Sequence, residues 1–187
     1  MTLDDNVARA WGRIEAWLAQ NAPPLAAALR PGAGDQLIAT AEARMGITLP
    51  DAVREAYRVH NGGAFLSFVE DEMLPLEQMA STRAMMNDIG WGSASLPNVG
   101  VSLGPVAPMW WNPGWLPFVG RGNMLCIDLD PAAGGTRGQI VEFMKGSDRR
   151  TVVFPSIAAW LDHWATALER DTYYFDHDSE ELIATPR

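Results

Sequence analysis

Apolar residues at i, i+4, i+7 and i+11, namely Val7, Trp11, Ile14 and Leu18, predict an amphipathic helix over residues 3–20 with Thr2 or Asp4 near its cap. Asn21-Ala-Pro-Pro24 ends it, and an Ala-rich turn at Leu25 to Leu29 leads to a break at Pro31-Gly32. A second helix is expected from Asp35 to Met45, with Leu37, Ile38, Ala41 and Met45 on its apolar side and Gly46 in the C′ position. A third starts behind Leu49-Pro50, carries Val53, Ala56, Tyr57 and His60 on one face, and stops at Asn61-Gly62-Gly63.

The pattern then changes period. Residues 64–69 read as a strand, and Leu74-Pro75-Leu76 as a second short one closed by its proline. Glu77 to Ile89 reads as a helix with a methionine-rich side. Between Arg83 and Arg121 there is no Lys or Arg, while the interval holds five prolines, six glycines and four tryptophans. Connections longer than about 12–15 residues are uncommon unless functional or disordered, and the tryptophans argue against disorder.

The stretch from Trp110 to Phe143 organises the rest. Met124, Cys126, Asp128 and Asp130 alternate with Leu125, Ile127 and Leu129, the period of a strand with one apolar and one more polar face. Asp130-Pro-Ala-Ala-Gly-Gly-Thr-Arg-Gly138 must reverse the chain, and a second strand follows from Gln139 to Met144. The result is a β-hairpin entered through Trp-Leu-Pro-Phe. A further strand at Thr151 to Phe154 precedes a helix begun by Pro155-Ser156, whose Ile157, Trp160, Leu161, Trp164 and Leu168 form one stripe. The tail from Asp171 to Arg187 is acidic, and its last ten residues are expected to be mobile. Helices gathered early and strands in the middle indicate an α+β domain.

Several of these strings, taken in order, resemble one family. W-x-P-x-W-L-P-F, then G-x-G-N-x-L-C-I-D-L-D-P and G-x-x-G-Q-I, resemble the SUKH superfamily, named in part for a yeast regulator of cell-wall glucan synthesis. LRPGAG at 29–34, AEARMGITLPDAVREAYRVHNGG at 41–63 and the helix after Pro155 follow the same order, so the likeness covers roughly residues 10–170. It implies a single SUKH-like domain over 1–187, with a curved, largely antiparallel sheet, helices packed on it, and Trp115 in the core. It further implies a non-enzymatic protein-binding role. The expected role is an immunity protein that neutralises a bacterial toxin, often a nuclease, with a regulatory scaffold of the cell-wall type as the alternative.

Composition adjusts this reading at a few points. With 23 acidic and 14 basic residues the formal net charge is −9, which disfavours a general nucleic-acid binder and accommodates a basic protein partner. Acidity for solubility alone would look the same. No apolar run approaches the roughly 18 residues of a membrane span, and the acidic N-terminus lacks signal-peptide character, so a cytoplasmic protein is expected. The single cysteine, Cys126, excludes an internal disulfide and a cysteine-cluster zinc site.

Candidate chemistry is sparse, and no catalytic residue, metal site or cofactor is assigned. His60, His163 and His177 lie far apart without metal-ligand spacing, and Gly120-Arg-Gly122-Asn precedes a strand where a phosphate loop would open a helix. Asp128 and Asp130 would share a strand face, with Glu142 near enough to join them, which suits a cation or acid/base work. Equally, Asp130 would cap the turn while Asp128 is solvated or bonds an amide. A metal-dependent enzyme built on them is the third functional reading. Adjacent Trp110 and Trp111 cannot both point inward from an extended segment, so one of them is a candidate partner-binding anchor. The acidic run Glu70, Asp71 and Glu72 is the candidate steering patch.

Overall fold

The computed structural model describes residues 3–63, 72–120 and 122–186, with side chains from Asn6 onward. Along the chain run α1 (Leu3–Asn21), α2 (Pro23–Ala28), α3 (Asp35–Met45), α4 (Asp51–Val59) and α5 (Leu76–Asp88). Then come β1 (Val101–Leu103), β2 (Trp115–Val119), β3 (Met124–Asp128), β4 (Gln139–Phe143), β5 (Arg149–Phe154) and α6 (Ile157–Glu169). A hairpin of β6 (Tyr173–Asp176) and β7 (Glu181–Ala184) closes the order. The fold is α+β. Its five-stranded sheet has the order β1-β5-β4-β3-β2; the three pairs from β5 to β2 are antiparallel and β1 joins β5 in parallel.

One face of the sheet carries the helices. Val7, Trp11, Ile14 and Leu18 of α1 are fully buried, as their spacing predicts, and α1 packs on both α4 and α6. The α6 stripe lies in the same core, with the Trp160 ring edge-on to Phe118 at 5.0 Å. Ser156 starts α6 by accepting the Ala159 N–H at 3.2 Å, satisfying one of the helix's unpaired donors. At the rim, Arg13 of α1 donates to Asp162 at 2.6 Å and to Glu169 at 2.6 Å, both on α6.

The turns between helices are tied to one another by main chain. Ala33 N–H donates to the Tyr57 carbonyl at 2.8 Å and Arg30 N–H to that of Gly62 at 3.2 Å, so the Pro31-Gly32 break sits against the end of α4. The buried Tyr57 hydroxyl donates to the Leu74 carbonyl, and the Asn61 side chain accepts the N–H of Leu76. Gly62 has φ of +89°, and a Cβ there would come within 2.6 Å of the Met73 carbonyl oxygen. Glycine is required there on both counts.

The second face is covered without helices. β1 and β2 occupy opposite edges of the sheet, so the chain between them, residues 104–114, must cross four strand spacings, about 19 Å. It lays Val106, Trp110 and Trp111 over Met124, Cys126, Val141 and Phe143, which form a second apolar cluster with Trp115 and Met86. The face of β3 expected to be more polar is therefore buried too.

The strand proposed for 64–69 lies outside the described residues. Three other expectations change. Leu74-Pro75-Leu76 is not a strand: Met73 bridges Gly63 and Val119, and Pro75 caps α5. β1 lies hidden in the uncharged connection, because three residues are too short for a period to show. The tail is not loose through its last ten residues, since β7 pairs with β6, buries Phe175 and sets Tyr173 against Trp164 at 5.7 Å.

If the α6 stripe anchors this core, Trp160→Ala should cost about 3–5 kcal/mol in urea unfolding. A loss under about 1 kcal/mol would place α6 outside the core.

Candidate protein-binding surfaces

The two tryptophans proposed as anchors occupy different environments, and neither is exposed. Trp111 is 1% exposed, stands edge-on to Trp115 at 5.8 Å and donates its indole N–H to Asn87 Oδ1 at 2.8 Å. It is a core residue, so the expectation that it could serve as a surface anchor is corrected. Its backbone is held too: Asn98 accepts the Trp111 N–H and donates to its carbonyl. Trp110 is half-buried, between Trp91 at 6.0 Å, Phe143 at 6.1 Å and the guanidinium of Arg150 at 4.8 Å. A bend in the crossing, not an extended strand, lets both rings turn towards the sheet.

Arg150 is the functional-looking residue that sequence reasoning passed over. It is fully buried, yet makes no ion pair with a described residue. Its Nε and Nη2 donate to the Trp110 carbonyl at 3.0 and 2.8 Å, and Nη1 donates to the carbonyls of Ser147 and Arg149, both at 2.7 Å. Phe143 and Trp110 lie against the guanidinium. Burial pulls its pKa below the ordinary arginine value. Carbonyl dipoles and ring faces take the place of solvent for this cation.

Asp128 is fully buried, so of the two expected settings, solvent or an amide partner, the structure shows the second. Its Oδ1 accepts the Asp130 N–H at 3.0 Å and Oδ2 accepts the Gln139 amide at 2.9 Å. Burial raises its pKa, opposed by those two donors. The Trp115 indole N–H, across the β2–β3 pair, favours the carboxylate electrostatically without reaching hydrogen-bonding geometry. Asp130 lies beyond the end of β3 and takes the Asn112 amide at 3.3 Å. Glu142 is opposite Leu125, so it points to the other face of the sheet and does not join Asp128. These carboxylates close a turn, and no group of three or more metal-ligating residues assembles among the described residues. Cys126 is buried, and burial pushes its thiol pKa up. His60 packs edge-on to Trp11 and spans the Arg30 carbonyl and Glu15, a joint between α1 and the Pro31 turn.

Of the acidic run, Glu70 and Asp71 lie outside the described residues. Glu72 is half-buried beside β2, its carbonyl accepting the Gly120 N–H at 3.2 Å. Trp110 sits over β5 and β4, and β5 is three strand spacings, about 14 Å, from β2. Trp110 and Glu72 are therefore set apart across the sheet, while Trp111 packs on Trp115 of β2.

Large apolar side chains reach solvent elsewhere: Met85, Ile89, Leu96, Val99, Val101 and Leu103 along the uncharged connection, and Tyr174 with Ile183 on the terminal hairpin.

Comparison with known proteins decides the family. The profile of the SMI1 / KNR4 family (SUKH-1) matches residues 32–163. This chain belongs to that family. It is 24% identical to the cell wall assembly regulator SMI1 of Saccharomyces cerevisiae, over 94% of this chain and 43% of the yeast protein. It is 28% identical to the cell wall biosynthesis/cell cycle regulator smi1 of Schizosaccharomyces pombe, over 97% of this chain and 40% of that protein. With the glucan synthesis regulatory protein of Neurospora crassa it shares 27% identity, over 94% and 41% respectively. The chain thus spans less than half the length of these relatives. They are named as regulators, not enzymes. Among the described residues no helix is long and apolar enough to cross a membrane.

Two substitutions test these assignments. Arg150→Lys should cost about 1–3 kcal/mol, because a compact ammonium at the end of a flexible stem cannot span the carbonyls on either side of the planar guanidinium fork. An unchanged denaturation midpoint would remove Arg150 as the fastener of the second face. For Asp128, the folded pKa lies above the unfolded value of about 3.9, so the native state holds its proton more tightly. Its contribution is present at low pH and lost as pH rises through the folded pKa. Wild type should therefore lose stability relative to Asp128→Asn as pH rises above about 4. A gap between the two that does not change with pH would mean Asp128 is solvated.

Proposed function

We propose that this domain is a regulatory protein-binding module that works by association and not by catalysis. Membership of the SMI1 / KNR4 family, with relatives named as cell-wall and glucan-synthesis regulators, is the observation that carries the reading. The carboxylates that might have served an enzyme support it indirectly, since Asp128 and Asp130 are taken up by backbone and amide donors.

A second reading keeps the same binding chemistry and changes the partner. The net charge of −9 favours a basic partner, and a basic toxin domain neutralised by an immunity protein would meet that condition. In both readings the acidic groups, with Glu70, Asp71 and Glu72 among them, steer encounter over a Debye length of about 8 Å, and desolvated contacts set residence time.

The test is affinity capture from the native host, identification of the captured protein, and surface-based kinetics at two salt concentrations. A housekeeping protein supports the regulatory reading, and a toxin encoded beside this gene supports the immunity reading. Reversing Glu70, Asp71 and Glu72 to Lys should slow association by about tenfold at low salt, with dissociation nearly unchanged. An association rate indifferent to salt and to the reversal would remove steering from the account.

A further inference from the structure

Two exposed sheet faces of this chain complement each other in shape class and in charge. The first is at the β1 edge. In parallel register Val101 is beside Arg149 and Leu103 beside Thr151, so these four side chains share one face of the sheet. Val101 is 47% and Leu103 44% exposed, and Val99 and Val153 are exposed next to them. Arg149 and nearby Lys145 are exposed, and neither makes an ion pair with a described residue. The row is thus aliphatic with Arg149 and Lys145 at one end, bordered on β4 by Glu142 in register with Thr151.

The second is the outer face of the β6–β7 hairpin. Tyr174 lies opposite Ile183 and Asp176 opposite Glu181, and all four point away from the core that Phe175 and Leu182 face. Like charges directly across a strand pair are destabilising, so Asp176 and Glu181 favour a cation between or above them. Asp176 already accepts the Ser179 N–H and hydroxyl, which holds its carboxylate in place and lowers its pKa.

The two faces cannot satisfy one another within a molecule, because both are solvent-exposed. We propose that the β1–β5 row of one copy receives the outer face of the β6–β7 hairpin of a second copy. Tyr174 and Ile183 cover Val101 and Leu103, and Arg149 meets Asp176 and Glu181. Backbone pairing at the β1 edge is not the route. The segment after β1 folds back on that edge, with Gly100 N–H donating to the Pro108 carbonyl at 3.1 Å and the Ser102 hydroxyl to that of Val106. Side chains carry the contact.

The contact joins unlike surfaces, so a single contact leaves each copy one free half, and the assembly is either an open head-to-tail chain, a ring, or a two-fold dimer in which the contact forms twice. This goes beyond the regulatory reading and does not depend on it.

The test is sedimentation velocity of the purified chain from about 1 to 200 µM at low and at high salt, a range that spans weak association. The weight-average sedimentation coefficient should rise with concentration, and less so in high salt. Leu103→Asp and Tyr174→Asp change exposed positions, so circular dichroism should match wild type, and each variant alone should stay monomeric. Mixed together, they should form a complex that stops at 1:1, since only one productive pair of faces remains. Arg149→Glu should weaken wild-type association at least tenfold, and Arg149→Glu with Glu181→Arg should recover most of it. A wild-type chain that is monomeric at the highest concentration overturns the proposal. So does self-association by either single variant.

Discussion

The guanidinium of Arg150 holds the carbonyl of Trp110 at the midpoint of a chain segment that must travel from one edge of the sheet to the other. That crossing is a consequence of topology. Once β1 joins β5 and β2 lies at the far edge, the intervening residues have to run over a sheet face, and the helices already occupy the other one. A segment in that position needs apolar side chains below, few charges, and a fastening for its own main chain. The tryptophans, the lack of Lys and Arg, and Arg150 meet those three needs. A buried cation is costly in isolation, and here carbonyls and ring faces offset the lost water.

Seen from this constraint, the strings that mark the family are mostly structural. LRPGAG and HNGG meet through main-chain hydrogen bonds that fix the turn beside α4. The run ending C-I-D-L-D-P closes the β3–β4 hairpin through Asp128 and Gln139. Such positions preserve a scaffold and leave the side chains outside them to vary without disturbing it.

Much of the fold was legible because its periods are long. The α1 and α6 stripes each extend over three turns, and the alternation around Cys126 has a proline-glycine turn to bound it. Where the reading missed, the element was short or the decisive contact was distant in sequence. β1 has three residues and exists only through its pairing with β5. Pro75 reads equally as the end of a strand or the cap of a helix. The hairpin after α6 depends on Phe175 and Leu182 finding the core, which an acidic composition conceals. Whether Asp128 would meet solvent or an amide stayed open because nothing nearby in sequence reveals that residues 104–114 will bury it, and Trp111 looked available for the same reason.

The same constraint separates the surface into regions with different chemistry. Covering the second face consumed the stretch from Arg83 to Arg121, where Asp88 is the one charged residue between the two arginines. The remaining charge falls on the helical layer, on β3 to β5 and the turns between them, and on the terminal hairpin. A domain assembled in this way presents apolar ground next to concentrated acidic ground. Apolar contact slows dissociation, while charge accelerates encounter and selects among partners. Their separation lets one be altered without the other, so a shared scaffold can change its partner by surface substitution while Arg150 and the crossing it fastens stay as they are.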